Sequence, residues 1–430
     1  MKQTILFVTL GSLFSILSLN AQNGQNTFTI DAQLRSRAEY RNGALLPRSE
    51  GDYPAFFINN RARFSLGYER ERLQMKLSAQ HVGVWGQDPQ IDRNGRFALN
   101  EAWAKIDLGK GLFAQLGRQP LVYDDERLLG SLDWNVAGRF HDALKLGYKR
   151  EQHQVHLVLA FNQNDEKVKE TYYAVGGQPY KTMQTLWYNG QYGTHLNASI
   201  LFMNIGLETG EPGTDTKKQR GKTTYMQTAG TYITYTSGKW LLSGSGYYQF
   251  GKKRVDRIDE PRTVSAYMLG LKADYKINPQ WSVSLLTDYL SGDPDSEKVT
   301  TFDPLYGTHH KFYGGMDYFY ASAYNKGLWD KQLGLTFRPV ASLVCSLNYH
   351  HFSTTYDVKA VDGAEGRSIG SEIDFQTDYT IAKDVRITLG YSIMLGTKYM
   401  DAIKGGNHNA WQDWGWLSIN INPRILFAKW

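Results

Sequence analysis

Arg35 and Arg37 sit two residues apart, and so do Arg61 and Arg63. On extended chains that spacing puts each pair on one face. A guanidinium is a planar, permanently charged fork that grips carboxylates and phosphates, so two such strands side by side would form an anion-attracting wall. No catalytic constellation competes with this reading. Ser–His–Asp groupings exist only on paper, without a nucleophile motif. The adjacent pairs His309-His310 and His350-His351 face opposite ways on a strand and do not share a metal. Gly292–Glu297 (GDPDSE) offers oxygen ligands of the calcium type but reads as a polar surface loop. Asp124-Asp125-Glu126 beside Arg127 reads equally as a gate or a salt-bridged turn. No phosphate-cradling strand–loop–helix unit occurs. Neither a cofactor nor a metal is expected, and an enzyme of the barrel-lipase kind is the least favoured class.

The elements that position these arginines are strands. In 27–41, Phe28, Ile30, Ala32, Leu34, Ala38 and Tyr40 alternate with Thr27, Thr29, Asp31, Gln33, Arg35, Arg37, Glu39 and Arg41. In 55–69, Ile58, Ala62, Phe64, Leu66 and Tyr68 alternate with Asn59, Arg61, Arg63 and Ser65. A period of two is the β signature. Unpaired charge in a dry core is costly, which leaves a solvated sheet face or the water-filled lumen of a membrane barrel.

The rest of the chain favours the barrel. Eighteen strand-like segments follow one another: 27–41, 55–69, 72–86, 98–108, 112–119, 139–149, 153–163, 180–192, 195–205, 222–236, 239–251, 262–276, 280–291, 328–338, 341–354, 369–381, 384–398 and 413–429. Sixteen is the alternative count. Most are ten to fifteen residues long, and a tilted membrane strand needs about ten. Their connections alternate between two- or three-residue turns and long loops, the longest being 120–138 and 292–327. Outer-membrane barrels sort their loops in this way. Tyr40, Tyr68, Trp85, Tyr148, Trp240, Tyr275, Trp281, Tyr289, Tyr379 and Tyr391 fall near the ends of the apolar face, where aromatic girdles sit. Pro423 cannot donate to a ladder, so a bulge is expected in the last strand. That strand ends on Trp430, similar to the terminal aromatic signal of outer-membrane assembly machinery.

With 430 residues and a mean hydropathy of −0.47, no helical membrane protein is implied. Lys2, the apolar run Ile5–Leu19 and Ala21 read as a signal peptide over 1–21, leaving 22–430 as a single barrel domain in the outer membrane, in contact with its lipid. Without Lys2 the 48 basic residues become 47 against 42 acidic ones, a net of +5, which is no nucleic-acid signal. The lone Cys345 gives no disulfide framework.

In a barrel the polar parity is the lumen. Arg35, Arg37, Arg61, Arg63, Lys76, Lys105, Lys145, Lys272, Arg338 and Arg386 then point inward, with an acidic stripe at Glu372, Asp374 and Asp378 a few strands away. Two readings of these charges stand: a positive constriction that concentrates anions, or mutual pairs that only hold the wall.

Leu116–Leu146 reads LGRQPLVYDDERLLGSLDWNVAGRFHDALKL. Its Gly117-Arg118-Gln119, Asp125, Arg127-Leu128-Leu129-Gly130, Trp134, Arg139-Phe140 and Asp142 resemble the alginate export family of outer-membrane channels. Phe302–Phe319, FDPLYGTHHKFYGGMDYF, is similar to a loop motif of that family. The resemblance implies an eighteen-stranded channel that passes an anionic polysaccharide or oligosaccharide through a lumen lined by Arg and Lys, with loops narrowing the mouth. It adds Arg118, Arg127 and Arg139 to the basic lining or its supporting loop. Periplasmic secretion partners are compatible with it, and a less selective porin for small anionic or sugar solutes is the alternative.

Overall fold

A computed structural model describes residues 26–88, 96–169, 171–173, 177–208, 223–254, 261–319 and 325–430. The segment read as a signal peptide lies outside the described residues. The strands are β1 (Thr27–Asn42), β2 (Ala55–Arg70), β3 (Leu73–Val84), β4 (Phe97–Gly109), β5 (Leu112–Gln119), β6 (His141–Arg150), β7 (His153–Phe161), β8 (Thr182–Tyr192) and β9 (Leu196–Glu208). They continue with β10 (Thr223–Ser237), β11 (Trp240–Lys253), β12 (Arg262–Lys276), β13 (Trp281–Leu290), β14 (Leu328–Val340), β15 (Leu343–Lys359), β16 (Glu365–Ala382), β17 (Val385–Gly396), β18 (Gln412–Ile421) and β19 (Arg424–Lys429). From β1 to β18 each strand pairs antiparallel with its neighbours in sequence. β1 pairs β2 on one side and β18 and β19 on the other, which closes the barrel.

β18 and β19 are one strand broken at Pro423, so the wall has the eighteen staves read from the sequence. The missing N–H shifts the register between Ile30 and Asp31. The Pro423 carbonyl still accepts from the Ala32 N–H at 3.1 Å, and Arg424 pairs with Asp31 at 2.8 Å across the break.

Turns of two to four residues join the strands at one rim. Several need a positive φ, which Glu71, Lys110, Gly111, Glu151, Gly238 and Asp384 adopt, as tight hairpins demand. The long connections gather at the other rim. One expected loop, 355–368, is largely strand instead: β15 and β16 extend to Lys359 and from Glu365, leaving a five-residue tip. A short helix, α1 (Lys398–Lys404), is capped by the Thr397 side chain, and no helix among the described residues is long and apolar enough to cross a membrane.

The apolar parity faces outward. Leu34, Phe64, Leu116, Leu146, Leu271, Leu285 and Leu333 are all more than a third exposed. Rim aromatics pack there, Trp240 tilted against Tyr275 at 4.5 Å and Trp281 stacked on Phe337 at 4.2 Å. The dry core lies inside the barrel. Loops 120–140 and 291–319 fold into the lumen, join through a Leu129–Tyr306 bridge, and bury Leu121, Leu129, Phe302 and Met316 against Met183, Met203, Met226, Met268 and Met394 of the wall.

Candidate functional site: the loop-narrowed lumen

The two early arginine pairs do face the lumen, and the inward loop takes up most of their hydrogen-bonding capacity. Arg61 is fully buried and pairs with Asp133 at 2.8 Å. Arg35 reaches the same carboxylate at 3.4 Å and the Asp133 carbonyl at 2.6 Å. Arg63 donates twice to Gln80, whose amide then donates to the Ala137 carbonyl at 2.7 Å. Arg37 pairs with buried Glu39 at 2.8 Å, and Arg41 meets the other oxygen of Glu39 at 2.8 Å. For these strands, pairing that holds wall and loop accounts for most of the charge.

The register nevertheless sets a row of guanidinium groups across the closing seam. Arg61 lies opposite Arg35, Arg35 opposite Asn420, and Asn420 opposite Arg386. Arg35, Asn420 and Arg386 of this row line a lumen cavity of about 460 Å³ together with Arg37, Lys311, Asp374 and Asp378, whereas Arg61 is fully buried and takes no part in the lining. Arg386 makes no ion pair among the described residues. Acidic groups stand beside this row, on β16, the strand next to the β17 that carries Arg386. Asp374 accepts from Ser392 at 2.5 Å and from the Gly315 N–H at 3.2 Å. Glu372, fully buried, accepts from the Met316 N–H at 2.7 Å. His350 bridges Asp330 at 3.0 Å and Asp374 at 3.6 Å. His351 turns to the outer wall, as adjacent strand residues must.

An aromatic platform borders the cavity. Arg37 sits 3.8 Å over the Trp134 ring, and His310 stacks on it at 4.0 Å. Trp414 and Trp416 meet Trp134 edge-on at 5.7 and 4.8 Å. Asp133, Trp134, His310, Trp414 and Trp416 were not singled out as site residues by sequence reasoning. Trp414 and Trp416 carry a readable signal, because they break the apolar-out, polar-in alternation of β18.

The remaining sequence candidates divide clearly. Lys105 and Lys145 face inward, both opposite Gln115, with the Lys105 ammonium 4.4 Å over Phe113. Arg338 lies inside at the short-turn rim, 3.3 Å from Ser282 Oγ. Arg127 is the clamp of the loops, pairing with Asp125 and Asp288 at 2.7 Å each. Burial pushes its pKa down, but Asp288, Tyr313 and Asp125 outweigh it and hold the guanidinium well above its ordinary value. Asp124, in the same loop, is raised by burial although Trp187 donates to it at 3.0 Å. Arg139 donates to the Gly307 carbonyl at 2.7 Å, joining one loop to the other. At Gly307 a Cβ would collide with the Arg127 carbonyl, so only glycine lets the two loops touch.

Arg118 corrects the expectation. Two residues on from exposed Leu116, it has the outer parity and makes a bidentate pair with Asp142 at 2.8 and 2.9 Å, under the Phe140 ring. Its assignment came from the motif and not from strand parity, and parity decides.

The alginate export family model matches residues 26–404. The chain belongs to the alginate export family. Among solved structures, this alginate export barrel is similar to OccK2 (OpdF) of Pseudomonas aeruginosa, at 13% identity and a TM-score of 0.60, covering 93% of this chain and 98% of that one. OpdK of Pseudomonas aeruginosa is similar at 10% identity and a TM-score of 0.60, with 94% and 99% covered. OccK2 in complex with glucuronate matches at 14% identity and a TM-score of 0.59, with 93% and 97% covered. No curated protein sequence matches the chain. The fold is that of an outer-membrane β-barrel, and the family member is an outer-membrane channel.

Proposed function

We propose that the channel passes an anionic, uronate-rich polysaccharide or oligosaccharide across the outer membrane without chemistry of its own. The observation that carries this reading is the arc Arg35–Asn420–Arg386, which borders the cavity together with Arg37 and Lys311. Guanidinium groups bind carboxylates bidentately, and the Trp134, Trp414 and Trp416 rings offer apolar faces to sugar rings. A sliding chain needs several weak contacts, and a row of separate donors supplies them. OccK2, a barrel of the same fold, has been crystallised with glucuronate. In this reading 1–21 is the export leader, 22–430 the barrel, and the assembly machinery acts on the terminal strand.

A less selective porin is the second reading. It is favoured by Asp374 and Asp378, which line the same cavity on the strand beside Arg386, and by the engagement of Arg35, Arg37, Arg61 and Arg63 with protein partners. Planar-bilayer recording separates the two. Block of the ionic current by polyuronate but not by neutral dextran of equal length supports polymer passage. Equal sensitivity to both polymers, or to neither, favours the porin.

A further inference from the structure

We infer that the outer wall carries a binding site for a phosphorylated, acylated lipid of the outer leaflet, built on Lys331 and His351 with an apolar groove beneath them. Both residues share the outward parity of Leu333 and Tyr349, which are 49% and 44% exposed. Lys331 is three residues from the loop-side end of β14, roughly 10 Å along the strand, the level at which headgroups meet acyl chains.

Lys331 is held but not neutralised. Its ammonium lies 4.2 Å over Trp329 and donates to Ser353 Oγ at 3.0 Å, and no carboxylate pairs with it among the described residues. His351 Nδ1 meets Ser371 Oγ at 3.1 Å, leaving Nε2 for a further partner. Arg118 on the same outer surface shows the contrast, since Asp142 satisfies it within the protein. A charge on the lipid face is costly unless it reaches the interface or finds a counter-charge.

The groove gives the rest of the ligand. A cavity of about 650 Å³ begins at Lys331, His351 and Thr287 and runs over Leu271 and Ala273 to Leu242. One end is cationic and the remainder apolar, which matches an acyl chain below a phosphate. A free anion would use only the cationic end, and a neutral acyl lipid only the groove.

The test is lipid retention by the purified, folded barrel in detergent, read by native mass spectrometry. Bisphosphorylated lipid A, its dephosphorylated form and inorganic phosphate are the probes. Wild type is expected to retain the bisphosphorylated form above both others. Lys331→Ala should weaken retention about five-fold, the effect of one cation near a phosphate surface, and Lys331→Ala/His351→Ala more. Ala273→Trp, which fills the groove and leaves the charges, should also weaken it. Lys311→Ala, inside the lumen, serves as the control and should leave it unchanged. Heat-modifiable migration in gels reports folding of each variant. Equal retention by wild type and the double variant, equal retention of the dephosphorylated lipid, or inorganic phosphate competing as well as the lipid would each overturn the inference.

Discussion

Replacing Arg127 by Met should open the channel without unfolding the barrel. Arg127 is 6% exposed and bonds Asp125 and fully buried Asp288, both at 2.7 Å, with the Tyr313 hydroxyl at 3.4 Å. Methionine keeps the apolar volume of the stem and removes the charge, which strands the Asp288 carboxylate. Breaking a buried pair from one side costs about 3–5 kcal/mol. That penalty falls on the folded-in loop state, because water can reach Asp288 once the loops lift. At about 1.4 kcal/mol per factor of ten, the lifted population rises roughly 10²- to 10⁴-fold. The eighteen-stave ladder does not depend on this contact. Single-channel recording should therefore show larger or noisier conductance, and proteolysis should cut within 120–140 or 291–327 while the heat-modifiable gel shift persists. Adding Asp288→Asn removes the stranded charge and should return much of the closed behaviour. Unchanged conductance and an unchanged protease pattern in Arg127→Met would refute the clamp.

Arg386→Glu reverses an arc guanidinium that has no ion-pair partner among the described residues, and should lower anion preference and raise the polyuronate concentration needed for block; an unmoved reversal potential would count against the arc. Arg61→Glu sets like charges against Asp133, so it should raise conductance as well as change selectivity, as checked in the same recordings. Trp134→Ala removes the ring between Arg37 and His310 and should weaken block by sugar oligomers several-fold while reversal potential stays nearly constant. Burial, and then Arg139, lower the pKa of His309 in the inward loop. Unfolding of that loop lets His309 take a proton near its usual 6.5, so the unfolded form binds more protons below that pH. Its stabilisation is present in full above about 6.5 and declines on acidification, which hydrogen exchange across 291–327 at two pH values would report, and His309→Gln should flatten the difference.

Strand period, loop sorting and the Pro423 interruption were all legible in the linear chain, because in a barrel each depends on neighbours two residues or one turn away. The same rule put Arg35, Arg37, Arg61, Arg63, Lys105, Lys145, Arg338 and Arg386 on the inner face. It also placed His350 and His351 on opposite sides. Arg118 went astray where a motif replaced that count.

What only the tertiary structure decided is who meets whom across the lumen. Asp133 lies 98 residues from Arg35 and 72 from Arg61, and no local pattern links them. The inward core was faintly written in Leu201, Met203 and Ile205, apolar on the parity that should be polar, but their partners lie in distant loops. The amino-acid order thus determines a water-lined ring with cations on its inner wall, since alternation is a property of each strand alone. Whether those cations stand free or hold a folded-in loop depends on closure of the ring, which brings remote carboxylates within reach.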